Sequence, residues 1–516
     1  MWWWVALAAA MEPVEGLIEV EAPVLYRVED PDHPLAVARS LSGSVLEQPP
    51  AEGGWSYEPI PVLDGYPDKV ALDVLNADLW HEAGYRGQGV RVAIFDLHWF
   101  GSQADPSVLG EVETADCWTH SSCEAPMDTE RARFANEEGV HGYACAEIVR
   151  EVAPEAEIFL VRVNGLTTFE NAVQWAIRND IDLISMSMSF FNSSFYDGTG
   201  SFMPPMDELA AAGVLLVTSA GNYAREHWSG PWRDVDGDGQ MDFEGANHLE
   251  IDMTAGSRRT VYVNWDEHRR CGDSDLDAFI YDDAGNLVGA SEEAQDRRDP
   301  ESTEDPDKHR CSPVERVSAY VSETGRHRLV LRADRLVSAG LEVDIFTQNG
   351  TIVGARPEFS IADPSPHPWA YTVAAVRADG YLTNNVESFS SWGPVRSGAF
   401  KPDVAGPDGL TATAYGATGF FGTSAATPAV TGALALIMSR DRSLSPWEAG
   451  SRLRSWAWSE GSADYDPRWG AGKARLPVPD PVVGGCGGSR MAGMFLLLPW
   501  GLRHRRRAPR RSDADR

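Results

Sequence analysis

Positive charge is scarce in this chain: 44 Lys and Arg stand against 77 Asp and Glu in 516 residues, a formal net charge of −33. A body so short of cations argues against nucleic acid or an anionic membrane as the main partner. The few arginines are also unevenly placed. Residues 503–516 hold seven of them against two aspartates, leaving 37 basic and 75 acidic residues before position 503. An acidic body with a basic tail is a processing or sorting pattern. Long apolar runs are missing as well. The apolar ends, Met1–Ala10 and Met491–Trp500, are each about half of the ~20 residues that a membrane-spanning helix requires. The first ten residues lack the basic start of an export signal, yet they carry its apolar run and its small-residue end at Ala8 and Ala10, so residues 1–11 read as signal-like. Cysteine is sparse too, at 117, 123, 145, 271, 311 and 486. Cys117 and Cys123 could close a short loop, and Cys271 and Cys311 share one segment. Both pairings suit an oxidising compartment, and the sequence proves neither. Cys145 reads as a buried helix residue.

What the chain does have is length enough for two or more domains and one organising stretch, Phe420-Phe-Gly-Thr-Ser-Ala-Ala-Thr-Pro428. Val430, Leu434, Ile437 and Met438 follow it at helical spacing, so a core-facing helix is expected to start near Ser424. Pro428 is expected in that helix's first turn, where no backbone donor is needed. The arrangement puts a hydroxyl at a helix N-terminus, where free N–H groups and the helix dipole favour developing negative charge. A serine there is either a nucleophile or a plain N-cap.

Three upstream segments decide between these. Gly89-Val-Arg-Val-Ala-Ile-Phe-Asp96 is an apolar strand ending in a carboxylate, and His141-Gly142 opens a short helix. Val214-Leu-Leu-Val-Thr-Ser-Ala-Gly-Asn222 is a strand running out to an amide. With Gly422-Thr-Ser-Ala-Ala-Thr-Pro428, the set resembles the four functional segments of the subtilisin-like serine proteases, the subtilases, in their chain order of Asp, His, Ser. The resemblance implies that Ser424 attacks the scissile carbonyl, His141 moves the proton and Asp96 holds the imidazole. It implies that Asn222 and the Ser424 N–H receive the oxyanion, and that Ser187 offers its backbone to an extended peptide substrate. The related sedolisins pair Ser with Glu and set Asp at the oxyanion position, which His141 and Asn222 argue against.

There are departures from the family pattern. Asp96-Leu97-His98 replaces Asp-Ser/Thr-Gly and loses a hydroxyl that helps orient the carboxylate. His141-Gly-Tyr-Ala-Cys-Ala-Glu147 puts a Glu where a packed Gly is usual. Ser187-Met-Ser-Phe190 replaces Ser-Leu-Gly-Gly, and Phe190 is expected to narrow the cleft. The reading is a secreted or envelope-associated serine endopeptidase. Its rival is a catalytically weak or inactive homologue serving as a cell-surface binding protein, which Leu97 and Glu147 favour.

Between the motifs, strands alternate with helices: Ile158–Val161, the helix from Phe169 to Asn179, Ile181–Met188, and the helix from Met206 to Ala212. This predicts an α/β fold, a subtilisin-like doubly wound parallel sheet covered on both faces. It is split into residues 67–245 and 355–478. Between them, residues 246–354 carry short strand-like runs without helices and predict an inserted all-β sandwich. That segment resembles the β-sandwich modules often attached to secreted bacterial proteases. At 234–242, Asp234, Asp236, Asp238 and Asp242 fall at positions one, three, five and nine of an EF-hand-like loop, with Gly239 at six. A structural calcium ion is expected there, although position twelve is Gly245 instead of Glu. Residues 12–66 are a short pro-segment or a linker. Residues 479–516, with Gly485-Cys486, the apolar stretch and the arginines, resemble a C-terminal sorting tag of the myxobacterial type and imply attachment to a membrane or envelope.

Overall fold

The computed structural model describes residues 72–99, 106–118, 121–127, 139–256, 258–268, 274–293, 295, 313–336, 340–459 and 465–479. It also describes the backbone of five short strands between residues 26 and 63. The signal-like segment, the sorting-tag segment with Cys486, and Cys271 and Cys311 lie outside the described residues.

A seven-stranded, all-parallel sheet forms the frame. Its spatial order is Val404–Asp408, Ala370–Arg377, Leu215–Ser219, Leu183–Met186, Arg91–Asp96, Glu157–Arg162, Glu113–Asp116. The inner strands read as unbroken apolar runs because both faces are covered. On one face lie the helices His141–Val152 and Thr423–Arg440, whose side chains share a core with Val92, Ile94, Leu215 and Val373. On the other lie Leu166–Arg178 and Met203–Ala212, packed on Phe95, Phe159 and Leu216. The Thr423–Arg440 helix is buried from Thr423 to Met438, as a helix apolar on all sides must be.

It passes through Pro428, which corrects the expectation for that proline. The helix begins at Thr423, so Pro428 falls in its second turn and not its first. A proline there leaves the carbonyl four residues back, that of Ser424, without its helical donor.

The inserted domain is a sandwich of a four-stranded and a five-stranded sheet. The four-stranded sheet runs His227–Pro231, Glu342–Gln348, Arg258–Trp265, Val314–Tyr320, all antiparallel. Its first strand lies ahead of residue 246, so the sandwich begins earlier than the composition shift suggests. His227–Pro231 was illegible because its mix of His, Gly and Pro has little strand propensity; pairing with Glu342–Gln348 holds it.

The N-terminal strands form their own four-stranded sheet, ordered Ala38–Ser40, Gly43–Leu46, Tyr26–Val28, Ser56–Tyr57, beside the Leu166–Arg178 helix. A fifth strand, Pro61–Leu63, leaves that sheet and pairs antiparallel with Met188–Phe190. Among the described residues no helix is long and apolar enough to cross a membrane.

Candidate active site

Asp96 ends a central strand of the parallel sheet, and its carboxylate is fully buried. A buried carboxylate needs donors. Oδ1 accepts the backbone N–H groups of Leu97 at 2.8 Å and His98 at 3.0 Å, while Oδ2 meets His141 Nδ1 at 2.7 Å. The carboxylate is thus held by the turn's own backbone, with no hydroxyl at position 97. His98 itself is pushed down to about 4, chiefly by burial and against the pull of Asp96, so it is neutral at neutral pH and sets no second cation beside His141.

Gly142 follows His141 for a steric reason. A Cβ there would lie 2.5 Å from Asp96 Cβ and 2.8 Å from its Cγ. Without one, the helix start comes close enough for Gly142 N–H to bond His98 O at 2.9 Å and for His141 to reach the carboxylate. The His141 ring stands edge-on to Phe420 at 5.5 Å, and Tyr415 stacks on Phe420 at 5.1 Å.

Ser424 is the second residue of its helix and is fully buried, and its Oγ has no hydrogen-bond partner among the described residues. Its helix packs against the one that His141 opens: Cys145, one turn beyond His141, places Sγ 3.7 Å from Ser424 O. Ser187 Oγ donates to the same carbonyl at 3.1 Å. These two side chains serve the acceptor that Pro428 orphans. Burial, and Asp96 nearby, push the Cys145 thiol well up, so it stays an S–H donor. Ahead of the serine, Gly422 takes φ 90° and its N–H bonds Asp408 Oδ2 at 3.1 Å.

Asn222 lies past the end of the Leu215–Ser219 strand. Its Oδ1 accepts both Thr423 N–H at 3.1 Å and Thr423 Oγ–H at 3.0 Å. With the oxygen so engaged, the NH₂ is the part of the amide left for another acceptor. Thr423 was quoted in the motif but given no role; the structure shows it as the residue that sets this amide.

Glu147 is buried, and its carboxylate accepts Thr413 N–H at 2.6 Å and the Thr413 hydroxyl. It ties the His141 helix to the Thr413–Thr418 turn that carries Tyr415. Phe190 does not narrow the cleft, contrary to expectation. It is fully buried, with its ring 4.7 Å from Phe202 in the core beneath the sheet. In a strand, residues two apart share a face, so this ring points inward and Phe191 takes the other side.

The acidic loop is only partly as expected. Carboxylate oxygens of Asp234, Asp236 and Asp242 lie within 4.8 Å of one another. Asp238 is not among them: its oxygens accept Gln240 N–H at 2.8 Å and Asn247 Nδ2 at 2.6 Å. Asp234 and Asp236 are exposed and Asp242 is half-buried, and three carboxylates at this spacing offer the all-oxygen donors that suit calcium. Elsewhere, Cys117 and Cys123 stand within disulfide reach, with Cα atoms 4.4 Å apart.

A carboxylate-bound imidazole, a buried hydroxyl at a helix start and an amide bonded to that helix start thus lie on the parallel α/β frame. Residues 87–472, three quarters of the chain, match the subtilase family, and the chain belongs to it. Subtilisin E of Bacillus subtilis (strain 168) is 28% identical over 162 residues, covering 29% of this chain and 39% of that protein. The membrane-bound transcription factor site-1 protease of Homo sapiens is 30% identical over 200 residues, 36% of this chain and 17% of that one. The chain thus spans well under half the length of these relatives. Among solved structures, the CspB protease of Clostridium perfringens shares the fold. Its TM-score is 0.52 at 15% identity, over 78% of this chain and 96% of that chain.

Proposed function

We propose that this chain is a serine endopeptidase that cleaves polypeptides through an acyl-enzyme. The observation that carries this is the 2.7 Å bond from buried Asp96 to His141 Nδ1. It engages Nδ1 with the carboxylate and leaves Nε2, the other ring nitrogen, for the proton transfer. In this reading Ser424 Oγ attacks the carbonyl while His141 takes its proton and later returns it to the leaving amine; Asp96 stabilises the imidazolium. The Asn222 amide and the Ser424 N–H, which in the first helical turn has no intrahelical acceptor, receive the oxyanion.

An extended substrate adds to the edge of Met188–Phe190 next to Ser187. The chain's own Pro61–Leu63 already lies on that edge, with Leu63 opposite Met188 and Val62 opposite Ser189. Residues 12–66 are accordingly a pro-segment that must leave before a substrate enters. The binding-protein alternative rested on Leu97 and Glu147; the backbone donors on Asp96 and the Thr413 tie support the endopeptidase reading at both positions.

A fluorophosphonate probe tests the reading. The chain freed of residues 1–66 should be labelled on Ser424, and Ser424→Ala should not be; equal labelling of both would refute it. For the acidic loop, calcium held by Asp234, Asp236 and Asp242 links the two ends of a turn inside the sandwich. At a hundredfold excess over Kd it should add about 2.7 kcal/mol to stability. Tm should therefore rise with calcium and fall with chelator in the parent only. Superimposable melting curves for the parent and Asp236→Ala would count against the site. Secretion or envelope attachment, with removal of the Arg cluster near Cys486, completes the proposal and follows from the two sequence ends.

A further inference from the structure

Alternation along two strands of the inserted sandwich sorts their side chains into two sets. On Glu342–Gln348, Val343 and Ile345 enter the sandwich core. On Arg258–Trp265, Val261, Val263 and Trp265 do the same. The residues between them face the catalytic domain. Asn264 Nδ2 donates to Ser194 O, and Asp344 pairs with Arg396, whose guanidinium lies over Phe195 at 4.4 Å and Phe359 at 4.5 Å. Tyr262 and Phe346 enter a buried aromatic cluster with Phe191, Tyr196, Tyr223 and Ala362.

The members of this cluster are the immediate neighbours of the site. Tyr223 follows Asn222, and Phe191 follows the Met188–Phe190 strand. Phe346 is fully buried and meets Tyr223 edge-on at 5.7 Å and Phe191 at 4.8 Å. Tyr223 in turn presses on the turn before Asn222: a Cβ on Gly221 would lie 2.5 Å from its ring. Ser391 also closes the turn, its N–H bonding Gly221 O at 2.8 Å and its Oγ accepting Tyr223 N–H at 3.0 Å. The turn carrying the Asn222 amide is thus tied to Ser391 and packed against the Tyr223 ring, and that ring rests on Phe346 of the inserted domain.

We propose that Phe346 is a positioning residue for catalysis, acting through Tyr223 on Asn222, so that the sandwich completes the active site as well as extending the chain. The inference rests on the endopeptidase reading. An oxyanion donor works only within a few tenths of an ångström of its place, and a 1 Å misplacement costs about 10²-fold.

The test is a double-mutant cycle on peptide hydrolysis by the processed enzyme. Phe346→Leu keeps an apolar side chain yet removes the ring edge, and should lower kcat roughly tenfold. In an Asn222→Ala background the same change should cost less than about twofold, because the group it positions is gone. Ile345→Val, on the other face of the same strand, should leave kcat at the parent's value although it loosens the sandwich. Three results overturn the inference alone: an unchanged kcat in Phe346→Leu, an equal loss in both backgrounds, or an equal loss in Ile345→Val. No Ser424-dependent turnover in the parent overturns the endopeptidase reading and the inference with it.

Discussion

Ser424→Ala should lower peptide hydrolysis by about 10⁶-fold, the loss seen when the nucleophile or the base of such a unit is removed. The fold should survive, because Ser424 Oγ has no hydrogen-bond partner among the described residues, so its removal breaks none of them. Alanine also favours the helix it would sit in. His141→Ala should cost as much activity, since the serine then has no base. It should cost stability too: the ring is buried against Phe420, and its loss leaves one oxygen of the buried Asp96 carboxylate without this donor. Hydrolysis of casein and a thermal melt separate the two effects. An Ser424→Ala protein that cleaves casein as fast as the parent would place the chemistry elsewhere.

Asn222→Asp should lower kcat by about 10²–10³, or 2.7–4 kcal/mol of transition-state stabilisation, with KM within a few-fold of the parent. The aspartate is nearly isosteric. It keeps an oxygen for the Thr423 N–H and hydroxyl, so the helix start stays in place, while the donor facing the substrate becomes an acceptor. Asn222→Ala should lose similar activity and some stability, because Thr423 then loses the acceptor that both its donors share. Initial rates over a range of peptide concentrations give the split. A raised KM at unchanged kcat would make Asn222 a ground-state contact and remove it from the oxyanion site.

The four motif segments of the family could be read from sequence because each combines a local structural signal with a reactive group. Asp96 closes an apolar strand, and Ser424 follows a glycine that permits the turn into its helix. The Cys145 reading held for the same reason, since a helix running from His141 must bury one face. The helices and strands between the motifs were legible where an apolar period ran unbroken, as at Leu166–Arg178 and Glu157–Arg162.

What could not be read locally were contacts between segments far apart in the chain. Pro428 looked like a first-turn proline; only the arrival of Ser187 and Cys145 at the Ser424 carbonyl makes a second-turn proline tolerable. Glu147 looked like damage until Thr413, 266 residues away, supplied its donors. Phe190 looked like an obstruction because sequence shows a side chain's size and not the face it takes. Asp238 looked like a calcium ligand because spacing along a loop does not tell which carboxylate a neighbouring Asn247 will capture. By itself the sequence singled out the residues proposed to carry the chemistry, since reactive groups and turn-permitting glycines are properties of short segments. Tertiary structure alone decided what orients them, including the inserted domain's Phe346 behind Asn222, because orientation depends on packing between surfaces that only the folded chain brings together.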